Sequence, residues 1–469
     1  MGHSEKYQLS KYLAGIYCHP GSNQVIKVAP HIKLSPEYIY NKLCYATYRL
    51  IDSNSFLQIG VSHLHSQLPR YTRFREFDLS KVVSVVEDRF WEPKDRERLI
   101  EEACHQLIVP DETTPMVRVR GVWHRDRPHE IMVDITLDHL AGDGLAFKYI
   151  VEDYVYYANQ SDSHPIDIPE SNIIALSENK DFKIMDTLEE KNPTRIGSIK
   201  RLGILAHLHY VPAAIKRQFN SFWAGSKPQS WEKCNSRIRI FSMPMSDTMD
   251  FMEACRMNKV TPHAGLYTCI LASLSNSFGS EAPIKLRTAT VINLRRMCKL
   301  DNNAPGIFLG AIKRDTVIEP RALDDIHNFW DESNKYKNYL RSNAKESLRY
   351  ANMMEYIAED FPNRLLNYWT KNIENYPMGQ ATSFTISDTG IFNVPEGGDW
   401  ALMDCASTQT AIVSCGTLLF TMAGVNTLDR YSISMSYQRG TITEEEGDLI
   451  IEGILRSMGK YARASKSKI

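Results

Sequence analysis

His139 and Asp143, in the run His139-Leu-Ala-Gly-Asp-Gly144, are the side chains best placed to do chemistry. A neutral imidazole accepts a proton near pH 7 and is the natural general base for a hydroxyl, amine or thiol. Removing that proton as the nucleophile attacks lowers the barrier to acyl transfer. Asp143 has three readings. It could orient the His139 ring and fix its tautomer, pair with an arginine and hold the turn in shape, or stand in solvent on a plain surface turn. The spacing leaves all three open. Metal binding is a poorer reading, because the run is not HExxH and no second compact His/Cys cluster accompanies it. His124 and His129 lie in a nearby loop without zinc-like spacing. There is no G-x-S-x-G elbow, and Asn302-Asn303 opens a turn before Gly306 without the Gly-Lys-Ser/Thr of a phosphate loop.

The elements around the run explain how it would be held. Ile131–Leu137 is an apolar strand candidate, and Val117–Val122 is another across the polar turn 124–129. Together they predict an antiparallel hairpin with a long loop. Leu145–Tyr157 follows with helical character, and Gly142 and Gly144 permit a tight strand-to-helix transition. Pro36 opens a helix to Leu50, and a further helix covers 96–107. A second cycle starts with a strand at 237–243, then helices at 249–257 and 263–278 and strands at 285–294 and 307–311. Helices are expected at 318–331 and 341–359. Strands are expected at 382–387, 400–406, 411–419 and 431–437, and a terminal helix at 444–458. The chain thus reads as two α/β lobes with mixed sheets, 1–190 and 230–469, joined by a linker and apolar helix at 191–229.

Composition agrees with a folded protein: 469 residues, 43% hydrophobic, 24% charged and a formal net charge of -1. That balance argues against nucleic acid as main partner. The nine cysteines form no CxxC pair and sit mostly in apolar contexts. They read as buried thiols in a reducing compartment. The N-terminus lacks a secretory core, and no apolar run is long enough to span a bilayer.

His139-Leu-Ala-Gly-Asp143-Gly144 resembles the HxxxDG signature of the CoA-dependent acyltransferase superfamily, which includes chloramphenicol acetyltransferase, plant hydroxycinnamoyl-type transferases, peptide-synthetase condensation domains and fungal alcohol acetyltransferases. The run sits about one third along the chain, as in that group. Asn293-Leu-Arg-Arg296 resembles the segment whose arginine pairs with the motif aspartate, a role carried to Arg295 with Arg296 as the alternative. Ser387-Asp-Thr-Gly390 resembles the late Ser-Asn-x-Gly segment of fungal alcohol acetyltransferases, with Asp388 in place of asparagine. The opening Gly2-His-Ser-Glu-Lys-Tyr7 resembles Gly-His-x-Glu-x-Tyr of the same branch, and the plant DFGWG segment is absent.

The resemblance implies two chloramphenicol acetyltransferase-like lobes with a tunnel between them. Acetyl-CoA would enter as co-substrate, with no bound cofactor and no metal. His139 would be the base, with Asp143, Gly144 and Arg295 supporting the site. Ser387 and Thr389 would be oxyanion or CoA-binding donors, with Thr385 a lesser candidate. The acceptor would be a small or lipophilic alcohol, or alternatively a lipophilic, sphingoid-like amine. A hydrolase and a catalytically silent interaction protein are the readings from other classes. The partners expected are acyl-CoA and a small-molecule acceptor, with the chain a monomer. The location expected is cytoplasmic. The basic C-terminal tail, with Ile450, Ile454, Leu455 and Met458, could instead lie on endoplasmic reticulum or lipid droplets. Ser467-Lys-Ile469 approximates a peroxisomal address.

Overall fold

The computed structural model describes residues 20–466 apart from 64–69, 107, 109–110, 161–167, 179–181, 183–185, 193–196, 213–214, 217, 219, 230–234, 280, 352–359, 361–362, 412–415, 427 and 429. The Gly2–Tyr7 segment and Ser467–Ile469 therefore lie outside the described residues.

The first sheet takes β1 (Pro20–Val28), β5 (Val83–Glu87), β6 (Val117–Trp123), β7 (Glu130–Leu137) and β13 (Trp400–Gln409) in the order β13-β1-β7-β6-β5. The predicted hairpin is present: β6 and β7 pair antiparallel with Val117 opposite Leu137. β5 joins β6 in parallel. Small two-stranded sheets, β2 (Ile59–Ser62) with β3 (Arg70–Arg73) and β4 (Glu76–Asp78) with β8 (Ile173–Ala175), also lie in this half. The second sheet takes β9 (Ser236–Ser242), β10 (Ile284–Asn293), β11 (Leu309–Ile318), β12 (Phe384–Phe392), β14 (Leu418–Val425) and β15 (Arg430–Gln438), ordered β11-β10-β12-β14-β15-β9. β10, β12 and β14 run parallel and the other pairs antiparallel. The fold is α/β, with two mixed-sheet lobes.

Sheet membership does not follow the division at 190–230 throughout. β13 belongs by sequence to the second half, yet pairs antiparallel with β1 from Pro20↔Gln409 to Val28↔Trp400. Its Trp400, Leu402 and Cys405 lie in the apolar core of the first lobe. Sequence periodicity identifies such a strand without naming its partner, because pairing across the whole chain leaves no local mark.

The helices are α1 (Pro36–Ser53), α2 (Pro93–His105), α3 (Gly144–Gln160), α4 (Ser198–Tyr210), α5 (Met245–Met257), α6 (Pro262–Phe278), α7 (Ile326–Ala351), α8 (Asn363–Asn375) and α9 (Glu444–Lys466), besides a single turn at Leu188–Lys191. α1 starts as expected: Ser35 accepts from Tyr38 N at 3.1 Å, Pro36 fills the first turn, and Ile39, Leu43, Ala46 and Leu50 form the buried stripe. The expected helices at 318–331 and 341–359 are replaced by the continuous α7. The short strand expected at 307–311 is a ten-residue strand ending at Ile318.

α9 docks its apolar face on the second lobe. Ile450, Ile454 and Met458 are buried and Leu455 packs beside them in the second lobe's core. Each fully buried side chain of this size contributes roughly 1.5–3 kcal/mol, so the face reserved for lipid is already spent on α6. Among the described residues no helix is long and apolar enough to cross a membrane. Cys44, Cys104, Cys255, Cys269, Cys298 and Cys405 are buried free thiols. Cys18, Cys234 and Cys415 lie outside the described residues.

A second contact joins the lobes away from the motif. Glu97 and Glu101, one turn apart on α2, face the outer edge of β9. Glu97 Oε1 accepts from Ile240 N at 3.0 Å and Glu101 Oε1 from Ile238 N at 2.7 Å. Arg239 and Arg237 flank them at 3.1 and 2.9 Å. Two carboxylates thereby pair N–H groups that an edge strand would otherwise leave open.

Candidate functional site

β7 ends at Leu137, and the chain turns at once. Asp138 accepts from Leu140 N at 2.8 Å, capping a single 3-10 turn, His139–Ala141. Gly142 then forms a parallel bridge with Gly306 of the second lobe's half of the chain. A Cβ on Gly142 would stand 2.7 Å from that of Ala146, so glycine is required for the turn to meet α3.

Asp143 is saturated. Its Oδ1 accepts from Ala146 N at 3.0 Å and from Arg295 Nη2 at 3.0 Å. Its Oδ2 accepts from Arg295 Nη1 at 2.8 Å and from Phe308 N at 2.8 Å. A carboxylate offers about four lone-pair sites, and all are taken. Nothing remains for the His139 ring, so the orienting reading of Asp143 fails on hydrogen-bond capacity. Asp143 is the N-cap of α3 and one half of a buried ion pair.

Arg295 is equally committed. Nε donates to Ala304 O at 2.8 Å, Nη2 to Gly306 O at 2.9 Å, and Nη1 to Asn293 Oδ1 at 3.4 Å, besides the two bonds to Asp143. The five donors of the guanidinium are thus used, and Arg295 is fully buried. Arg296 is exposed and takes no part. Sequence reasoning missed Asn293, which also accepts from Arg295 N at 3.0 Å, and the loop 301–308 that wraps the guanidinium with its carbonyls. Pro305-Gly306 was the available signal, since Gly306 takes a φ of +104°.

His139 is half-buried by surface area but closely surrounded by protein. Burial pushes its pKa below the ordinary histidine value. A hydrogen bond from the ring to its own main-chain carbonyl and the charge of Asp143 act the other way. Burial thus favours the neutral ring, the form that can accept a proton.

β12 brings the late segment alongside. Its pairing with β14 shifts register between Asp388 and Ile391, and Gly390 takes a φ of +78°. The bulge sets Thr389 against the motif: a Cβ on Gly144 would lie 3.4 Å from Thr389 Cγ2. Thr389 Oγ1 donates to Met422 O at 2.7 Å, so its one proton is engaged. Thr385 is buried, with Oγ1 3.4 Å from Thr382 Oγ1. Ser387 is half-buried and its hydroxyl makes no hydrogen bond among the described residues. Asp388 accepts from Gly390 N at 2.9 Å and faces His263 Nδ1 at 3.4 Å.

A cavity of about 450 Å³ opens beside the motif. Ala141 and Ala146 line it from the turn and α3, Asn303 and Pro305 from the loop around Arg295, and Asp52 and Asp153 supply carboxylates. Both oxygens of Asp52 are held by Ser177, through N and Oγ at 2.8 Å each. Asp153 is raised above the usual carboxylate range by burial and by Glu152.

Comparison with solved structures gives the same architecture at low identity. A trichothecene 15-O-acetyltransferase from Fusarium sporotrichioides matches with a TM-score of 0.69 and 12% identity, over 98% of this chain and 95% of that one. Polyketide synthase associated protein 5 from Mycobacterium tuberculosis matches with a TM-score of 0.59 and 12% identity, over 98% of both chains. The epimerization domain from the third module of tyrocidine synthetase B matches at 0.57 and 11%, over 96% and 93%. No family model and no curated protein sequence matches the chain.

Proposed function

We propose that this protein is a CoA-dependent acyltransferase that moves an acetyl group from acetyl-CoA to the hydroxyl of a small or lipophilic alcohol. The carrying observation is the division of labour between the two motif side chains. Asp143 and Arg295 use every hydrogen-bonding site on building the turn, while burial favours the neutral form of His139 on that same turn, and the turn lines a cavity through Ala141. The fold shared with a trichothecene O-acetyltransferase supports the reading.

In this mechanism His139 takes the proton of the acceptor hydroxyl as its oxygen attacks the thioester carbonyl. The carbonyl π electrons move onto oxygen, and the oxyanion needs a donor. Ser387 is the best-placed candidate, because its hydroxyl is unengaged where those of Thr389 and Thr385 have partners. Collapse re-forms the carbonyl, breaks the C–S bond and expels the CoA thiolate, which recovers the proton from His139. Gly144 lies where β12 meets the turn, a Cβ there coming within 3.4 Å of Thr389 Cγ2.

One observation favours transfer to an amine as a second reading: the cavity beside the motif carries the Asp153 carboxylate, which would attract a cationic acceptor. The deciding experiment is acetyl-CoA turnover against a mixed alcohol and amine library, read by product mass. Acetyl esters are the expected products. Acetamides alone would shift the assignment to N-acetyl transfer. CoA release without acetylated product would indicate hydrolysis, and inactivity across the library would favour an interaction protein.

A further inference from the structure

We infer that α4, in the segment between the lobes, carries a docking face for an anionic lipid bilayer. On most helices of a folded domain the apolar stripe turns inward. On α4 it turns outward. Ile199, Leu202, Ala206 and Tyr210 fall within about 80° of arc at 3.6 residues per turn. Ile199 is 90% exposed, Leu202 68% and Tyr210 84%. Gly203 shares that side of the helix, and a Cβ built there meets nothing within 4 Å. Ile215, beyond Pro212, is exposed as well.

Charge names the occupant. From Asn192 to Trp231 the chain has six basic residues, Arg195, Lys200, Arg201, Lys216, Arg217 and Lys227, and no acidic one; Lys216 is buried, which leaves the other five to set the charge of the segment. The whole protein has a net charge of -1, so this cationic stretch is local. An apolar stripe within a wholly basic segment suits the boundary of an anionic membrane, where side chains such as leucine and tyrosine enter the acyl border and lysine and arginine meet headgroups. α9 supplies the contrast: its apolar positions are packed in the second lobe, so its basic end has no apolar stripe to insert.

The test uses the full chain and its sedimentation with vesicles of phosphatidylcholine containing about 30% phosphatidylserine. Binding is expected at low ionic strength, with little to vesicles of phosphatidylcholine alone, and release near 0.5 M salt, about where charges are screened within a few ångströms. Ile199→Ser combined with Leu202→Ser should weaken binding about tenfold or more, from lost apolar insertion. Lys200→Glu with Arg201→Glu should weaken it by about as much. Leu449→Ser, an exposed position on α9, should change nothing. Turnover of a water-soluble acceptor and the far-ultraviolet circular dichroism should be unaltered in all variants. Absence of binding to the phosphatidylserine vesicles, or binding indifferent to both double variants, overturns the inference. So does a concentration-dependent dimer that Ile199→Ser/Leu202→Ser dissolves, because a second copy would then be the partner.

Discussion

Two seams among the contacts between the lobes bring carboxylates from the first half mainly to donors from the second. At the motif, one carboxylate receives four hydrogen bonds from a fully buried arginine and two main-chain N–H groups. Along α2, Glu97 and Glu101 spread their bonds between partly exposed arginines and the edge of β9. The first seam is dry and complete, so losing one member strands a buried charge. At the second the two carboxylates are buried as well, but their arginine partners keep part of their surface in solvent and share each carboxylate with a main-chain N–H. The same chemistry therefore fixes the motif turn in one place and fastens α2 to β9 in the other.

The sharpest way to break this contrast is Arg295→Met. It leaves Asp143 charged and buried, and a cost of roughly 3–5 kcal/mol is expected in urea unfolding, together with loss of turnover. An unfolding midpoint like that of the parent would mean that the pair is dispensable to the turn. His139→Ala should separate chemistry from architecture: turnover falls by about 10²–10⁴ while the melting temperature holds.

The same histidine carries a pH signature. Its folded pKa lies below the ordinary value near 6.5, so the neutral base persists below that pH. The acid limb of kcat/KM should fall below 6.5. Because the unfolded state binds the proton more readily, this group's contribution to stability is present above pH 6.5 and is lost as pH falls through the folded value. An acid limb above 6.5, absent from the His139→Ala remnant, would contradict that setting.

On the β12 side, Ser387→Ala should lower kcat by about 10² if its hydroxyl meets the oxyanion. Thr389→Val should instead act mainly on stability, because its proton is given to Met422 O. The reverse pattern would exchange their roles. Smallest of all, Glu101→Gln should cost about 1–2 kcal/mol in unfolding and leave turnover near the parent value. A loss of activity as large as that of Arg295→Met would erase the distinction between the seams.

The legible part of this molecule was local. The strand, the turn and the helix around His139 follow from apolar runs and two glycines, and Arg295, with Arg296 as the alternative, comes from the resemblance of Asn293–Arg296 to a family segment whose arginine pairs with the motif aspartate. The partners that complete the cage were not legible. Ala304 and Gly306 contribute carbonyls and Phe308 an N–H, and backbone groups carry no residue-type signal. Nor could the sequence reveal that Thr389 has spent its proton, or that Asp388 meets His263, since both depend on register and on a bulge. α9 shows the commonest ambiguity: an amphipathic helix looks alike whether its apolar side meets lipid or protein.

The return of β13 to the first sheet bears on how the chain matures during synthesis. Until residues 400–409 leave the ribosome, β1 has a partner on one side only, β7, and its other edge stands open. At ordinary elongation rates the 372 positions from Val28 to Trp400 keep it waiting for roughly 20–75 s. An exposed edge strand of nine residues invites pairing with other chains for that whole interval. The first lobe begins to form early but is sealed late, so the dependence of this protein's yield on chaperones should be set by β1 more than by any residue of the motif.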